Sequence, residues 1–233
     1  HQQKAFDRLN GNDGQSTIIA TGTGSGKTSL INLIPRFYDV RQGEVLVDGV
    51  DVKEYPFSQL RGMIGIVPQK AVLFKGTIRH NMQWRDKNAT DEDIWNALDI
   101  AQAKDFVEKK PDKLDEMILQ EGKNLSGGQR QRLTIARALV GDPEILILDD
   151  SASALDLATD ARLRKAIHEK TSGMTVFIVS QRISSIKSAD KIIVLDDGKI
   201  AGIGTHSELY KGCEVYKEIC LSQLSEKEAQ ANG

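Results

Sequence analysis

Eight residues near the start of the chain, Thr21-Gly22-Thr23-Gly24-Ser25-Gly26-Lys27-Thr28, restrict the fold more than any other stretch. An apolar run from Gln15 to Ala20 precedes them and reads as a buried strand. A helical pattern carrying Leu30, Ile31, Leu33 and Ile34 follows, with Pro35 expected near its end. Closely spaced glycines let the backbone curl so that successive N–H groups face an anion, and the N-terminus of the next helix adds partial positive charge. Strand, glycine-rich loop and helix in this order are the context of a phosphate-binding loop. Such a loop would use Gly22 to Ser29 as its cradle, with Lys27 reaching the β- and γ-phosphates and the Thr28 hydroxyl ligating Mg²⁺. The pattern G-x-x-x-x-G-K-[ST] asks for Gly at position 21; here Thr21 stands there and Gly22 is displaced by one.

The rest of the chain alternates short β-rich runs with helical patterns, as an α/β fold with a mostly parallel sheet requires. Glu44 to Val47 reads as a strand entering an Asp48-Gly49 turn, and Met63 to Val67 as a strand ended by Pro68-Gln69. Strands return at Ile145 to Leu148, Thr175 to Val179 and Lys191 to Leu195. Between them, from about 77 to 140, the pattern is mainly helical, which predicts a helical insertion within one core. Asp91 is the expected N-cap of a helix with Ile94, Leu98 and Ala101 on one face. Thr205-His206-Ser207-Glu208 fits a capping box, and 222–233 reads as a disordered tail. Cys213 and Cys220, the only cysteines, are expected on one face of a C-terminal helix as reduced thiols.

Composition narrows the partners. The formal net charge of −2 argues against a dedicated nucleic-acid binder. Apolar runs fall far short of the roughly 18 residues that span a bilayer, and the start HQQKAFDRLN has no apolar signal core. A first residue His1 in place of Met points to an excised piece of a longer chain.

Two further segments carry chemistry. Ile145-Leu146-Ile147-Leu148-Asp149-Asp150 is an apolar strand ending in two carboxylates, the Walker B arrangement, which puts Asp149 where nucleotide-bound Mg²⁺ would sit. Alone this segment is ambiguous, since strands often end in Asp for turn chemistry. Leu125-Ser126-Gly127-Gly128-Gln129 opens a helix with Leu133, Ala136, Leu139 and Val140 on its apolar face. With LSGGQ lying between the phosphate loop and Walker B, the chain resembles the ATP-binding-cassette (ABC) family over about Gln15 to Tyr216.

The resemblance implies a P-loop NTPase (RecA-like) core with an inserted helical subdomain and an incomplete N-terminal antiparallel β-subdomain, all in one cassette spanning 1–233. It implies ATP and Mg²⁺ as ligands, the metal held by Thr28, Gln69 and Asp149. Gln69 matches the Q-loop glutamine, which also couples to the membrane domain. Ser153-Ala154-Leu155-Asp156 matches the D-loop that crosses to the partner subunit, and Leu73 to Ile78 is similar to exporter-type cassettes. In such proteins the cassette follows a transmembrane domain on the same polypeptide, at the cytoplasmic face of the cell membrane. Two cassettes pair head to tail, so that Ser126 and its glycines cap the partner's ATP. The adenine-stacking aromatic of the family has no good match in HQQKAFDRLNGNDG, where Phe6 is the only candidate.

Two positions depart from the hydrolytic pattern. The residue after the Walker B Asp is normally a Glu acting as general base; here it is Asp150, one methylene shorter. The switch histidine after the strand ending at Val179 is here Gln181, which donates a hydrogen bond but carries no positive charge. Both departures beside an intact LSGGQ resemble the degenerate half of a heterodimeric exporter of multidrug or lipid type, whose catalytic positions would be Asp150, Gln181 and Gln69. Two other readings stand beside it: an ABC ATPase not attached to a transporter, and a non-hydrolysing module that dimerises on ATP.

Overall fold

Ile145-Leu146-Ile147-Leu148-Asp149 has no polar face, and it folds as a strand buried throughout. The computed structural model describes residues 17–21, 26–151, 153–171 and 173–223. The first half runs β1 (Thr17–Thr21), α1 (Lys27–Ile31), β2 (Leu46–Val47), β3 (Val50–Asp51), α2 (Phe57–Met63), β4 (Ile64–Val67), β5 (Gly76–Thr77), α3 (Ile78–Met82), α4 (Asp91–Ile100), α5 (Lys104–Glu108) and β6 (Met117–Ile118). The second runs α6 (Gly127–Leu139), β7 (Ile145–Asp149), α7 (Leu157–Lys170), β8 (Thr175–Val179), α8 (Ile183–Ile186), β9 (Lys191–Asp196), β10 (Lys199–Gly204), α9 (His206–Gly212) and α10 (Glu214–Gln223).

Six strands form the main sheet in the order β10-β9-β1-β8-β7-β4, with every neighbouring pair parallel except β9 and β10. Side-chain alternation divides the core between the two faces. Leu146, Leu148, Val176 and Ile178 face α6, α7 and the helical insertion, whereas Ile145, Ile147, Phe177 and Val179 face α1 and the β2–β3 hairpin. The parallel core and the helical insertion are thus as expected. Arg85 fastens the insertion to the sheet: its guanidinium donates to the carbonyls of Gly62, Ile64 and Val140, each at 2.7 Å.

Several expected boundaries move. Helix α1 ends at Ile31, and Leu33 and Ile34 continue in three-residue turns, their N–H groups reaching Leu30 and Ile31. Pro35 explains this, because it has no N–H to give the Ile31 carbonyl, which the Ile34 N–H takes instead. Met63 closes α2 instead of opening β4. Thr90, not Asp91, caps α4: its hydroxyl accepts from Asp93 N–H at 3.2 Å, and the Asp93 carboxylate takes Thr90 N–H at 2.8 Å. Asp91 then lies in the first turn, paired with Arg79.

The two cysteines do not share one helix. Cys213 ends α9 in an extended conformation and Cys220 lies in α10; both are buried and free. Ser222 and Gln223 belong to α10 rather than to a tail, because the Gln223 side chain is bonded into the fold; 224–233 lie outside the described residues. An extra strand, β10, pairs with β9 through Asp197 (φ 45°) and Gly198 (φ 73°), the left-handed pair of a type I′ turn. The expected Asp48-Gly49 turn has the same form and joins β2 to β3.

Candidate active site

Register brings the chemistry-bearing segments to one edge. Ala20 lies opposite Val179, Val179 opposite Asp149, and Val67 opposite Leu148. The chain therefore leaves β1, β8, β7 and β4 at the same C-terminal edge of the sheet, where open α/β sheets bind ligands. The exits carry, in turn, the glycine-rich segment, Ser180-Gln181, Asp149-Asp150 and Pro68-Gln69. Gly22, Thr23, Gly24 and Ser25 lie outside the described residues; Gly26, Lys27, Thr28 and Ser29 are described, the last three in the first turn of α1.

Lys27 is buried at this edge, and Thr28 Oγ1 donates to Asp149 Oδ1 at 3.1 Å. Asp149, the last residue of β7, is buried too. Burial pushes its carboxyl upward, against the Thr28 hydrogen bond; Asp150 adds to the rise and Lys27 opposes it. Burial likewise pulls the Lys27 ammonium downward, outweighing the charges of Asp150 and Asp149. Desolvation thus leads at both groups. A divalent cation at Thr28 and Asp149, and an anion beside Lys27, would each relieve it, so the residues present fit a Mg²⁺–phosphate ligand.

Asp150 continues the ladder through its N–H to the Val179 carbonyl at 2.8 Å, then turns off the sheet with φ 43°. Its carboxylate accepts from Gln69 Nε2 at 3.4 Å, so Walker B and the Q-loop residue meet directly. Gln181 is exposed just beyond β8. The next residue, Arg182, donates to the carbonyls of Leu155 at 3.2 Å and Ser153 at 3.1 Å, tying the switch segment to the D-loop segment. Asp156 ends that segment as N-cap of α7, accepting from Thr159 N–H at 2.9 Å.

The LSGGQ segment starts α6. Ser126 accepts from Gln129 N–H at 3.2 Å while the Gln129 side chain takes Ser126 N–H at 3.0 Å, so Gln129 closes a capping box. Leu125 is buried beneath, and Ser126 and Gly127 are exposed. A side-chain carbon at Gly128 would lie 3.5 Å from the Ala154 carbonyl, so the D-loop segment passes close to α6.

The family model described as ABC transporter matches residues 8–153. The chain belongs to the ABC transporter family. An ABC transporter ATP-binding protein of Mycobacterium tuberculosis is 45% identical over 218 residues, covering 92% of this chain and 37% of that protein. The ATP-dependent lipid A-core flippase of Hahella chejuensis is 41% identical over 217 residues, covering 93% of this chain and 37% of that protein. A solved bacterial Atm1-family ABC exporter with ATP bound superposes with a TM-score of 0.87 at 34% identity, over 91% of this chain and 38% of that one. The chain spans little more than a third of the curated relatives it matches.

The fold is accordingly the P-loop NTPase fold of ABC ATP-binding domains, a type that in general binds ATP with Mg²⁺ and hydrolyses it. No helix among the described residues is long and apolar enough to cross a membrane. Two supports of this cassette are not carried by its motifs. Asn81, fully buried, donates to the Phe74 carbonyl and accepts the Phe74 N–H, each at 2.9 Å, fixing the segment after Gln69. Arg182 grips the D-loop segment through the Ser153 and Leu155 carbonyls. Side chains that bond distant backbone leave no spacing pattern in sequence; only the Arg following Gln181 marks the second one's place.

Proposed function

We propose that this chain is the ATP-binding cassette of an exporter-type half-transporter, with 77–140 as its helical subdomain, working at the cytoplasmic face of a membrane against a second, different half. Its own site holds ATP with little turnover. Lys27 and the glycine-rich backbone take the phosphates, and Thr28, Asp149 and Gln69 hold the metal. When bound, Mg²⁺ draws negative charge from the phosphates. Asp150 stands where the family places its general base, and Gln181 offers a neutral donor where the family places a histidine. Leu125 to Gln129 serve the partner's site, with Ser126 and its glycines facing the partner's ATP, and Ser153 to Asp156 cross toward the same partner.

The observation that supports this reading best is the Asp150 carboxylate, in contact with Gln69 on the edge that carries Thr28 and Asp149. Asp in place of Glu retracts the base by about 1 Å, a misplacement that costs on the order of 100-fold in rate. Val72 and Phe74, exposed shortly after Gln69, and the exposed Trp84 form an apolar surface suited to the membrane domain. Phe74 and Trp84 stack there with ring centroids 4.3 Å apart. Joint replacement Asp150→Glu and Gln181→His should raise turnover of the assembled heterodimer; unchanged turnover removes the main support for a degenerate site.

A further inference from the structure

The loop carrying Gln181 is held by the far end of the chain. Gln223, the last residue of α10, accepts from Ile183 N–H through Oε1 at 3.0 Å and donates to the Gln181 carbonyl through Nε2 at 2.6 Å. A primary amide carries an NH₂ donor and a carbonyl acceptor in one plane, and here each end bonds one of the two peptides flanking Arg182. The Ile183 N–H begins α8, whose N-cap residue Arg182 gives no side-chain cap. Gln223 therefore satisfies a helix-end donor that the loop itself leaves open. Arg182 N–H is taken by Ser180 Oγ at 3.0 Å, and the Arg182 guanidinium holds the D-loop carbonyls on the other flank. The loop is gripped on both sides, with the exposed Gln181 side chain between the grips.

Gln223 is placed by a rigid element. Tyr216, Cys220 and Gln223 follow at i, i+4 and i+7 on one face of α10. The first two are fully buried, and the Tyr216 hydroxyl lies 2.8 Å from His206 Nδ1 at the start of α9. Helix α10 packs on α9, α8 and β9, so one end is set in the core while the other delivers an amide to the switch loop.

We infer that Gln223 is a positioning residue of the nucleotide site: α10 fixes, through its amide, the peptide from which Gln181 reaches the γ-phosphate. This rests on the role proposed above for Gln181. Losing the clamp frees the Gln181 peptide without removing any group that touches the nucleotide.

The test is a double-mutant cycle on the full 233-residue chain, with Mg-ATP affinity read by fluorescence titration and hydrogen exchange followed over 180–186. Gln223→Ala should speed exchange in that segment and weaken Mg-ATP binding about three- to tenfold, the size of one net hydrogen bond. In a Gln181→Ala background the same replacement should weaken binding no further. Gln223→Glu, which keeps an acceptor for Ile183 but sets a carboxylate oxygen against the Gln181 carbonyl, should act in the same direction. Faster exchange with unchanged affinity, or equal weakening in both backgrounds, would overturn the proposal while leaving the role of Gln181 intact. If Gln181→Ala alone leaves affinity unchanged, the role of Gln181 fails first and takes the proposal with it.

Discussion

Asp149 shows at residue scale how a ligand site is set against stability. Its folded-state carboxyl is shifted up by burial, so the folded chain takes up a proton more readily than the unfolded one. Above the unfolded-state value near pH 4 this is a penalty on folding, and it vanishes in stronger acid. Asp149→Asn should therefore raise the melting midpoint of the ligand-free chain at neutral pH, with the gain disappearing as the pH falls through 4. The same variant should weaken Mg-ATP binding by about tenfold or more, read by titration calorimetry. Asp149 was legible in sequence because an apolar strand ending in Asp has a definite place at a sheet edge. The Gln69–Asp150 contact was not legible, since 81 residues separate the pair and only the β4–β7 register brings them together.

At the scale of elements, the parallel core is legible because buried strands need apolar runs whatever lies beside them. The ends are less legible, since they depend on local choices: Pro35 shortens α1, and Thr90 wins the cap of α4 from Asp91. Strand β10 is not legible in the sequence, because Ile200, Gly202 and Gly204 give it a weak alternation; only Asp197-Gly198 signals its turn. Strand β4 lies close against α6. A side-chain carbon at Gly65 would fall 2.4 Å from the Ala138 carbonyl, so Gly65→Ala should cost about 1–3 kcal/mol in chemical denaturation. Helices α9 and α10 meet at His206, whose pKa is lowered chiefly by burial and further by Lys187. The unfolded chain binds a proton near pH 6.5 and the folded chain only at lower pH, so stability should decline as pH falls below about 6.5. In His206→Gln that slope should flatten.

For the whole molecule, the proposed reading gives one cassette two different surfaces: a nucleotide edge built from β1, β4, β7 and β8, and an LSGGQ helix start on the insertion. Ser126 already spends its hydroxyl on the Gln129 N–H, yet it is exposed beside two glycines, open to a second molecule. The motif order was fully legible along the chain; the D-loop's attachment to Arg182 was not, because it runs through backbone carbonyls. On the proposed reading the chain serves its partner's site more than its own. The most direct test is to mix it with a second cassette bearing Glu and His at the positions of Asp150 and Gln181, and to measure ATP turnover with Ser126→Arg introduced only in this chain. Turnover should be low for this chain alone, appear on mixing, and fall at least tenfold with Ser126→Arg. Turnover that survives Ser126→Arg undiminished, or that this chain sustains equally well by itself, would contradict the proposed division of labour.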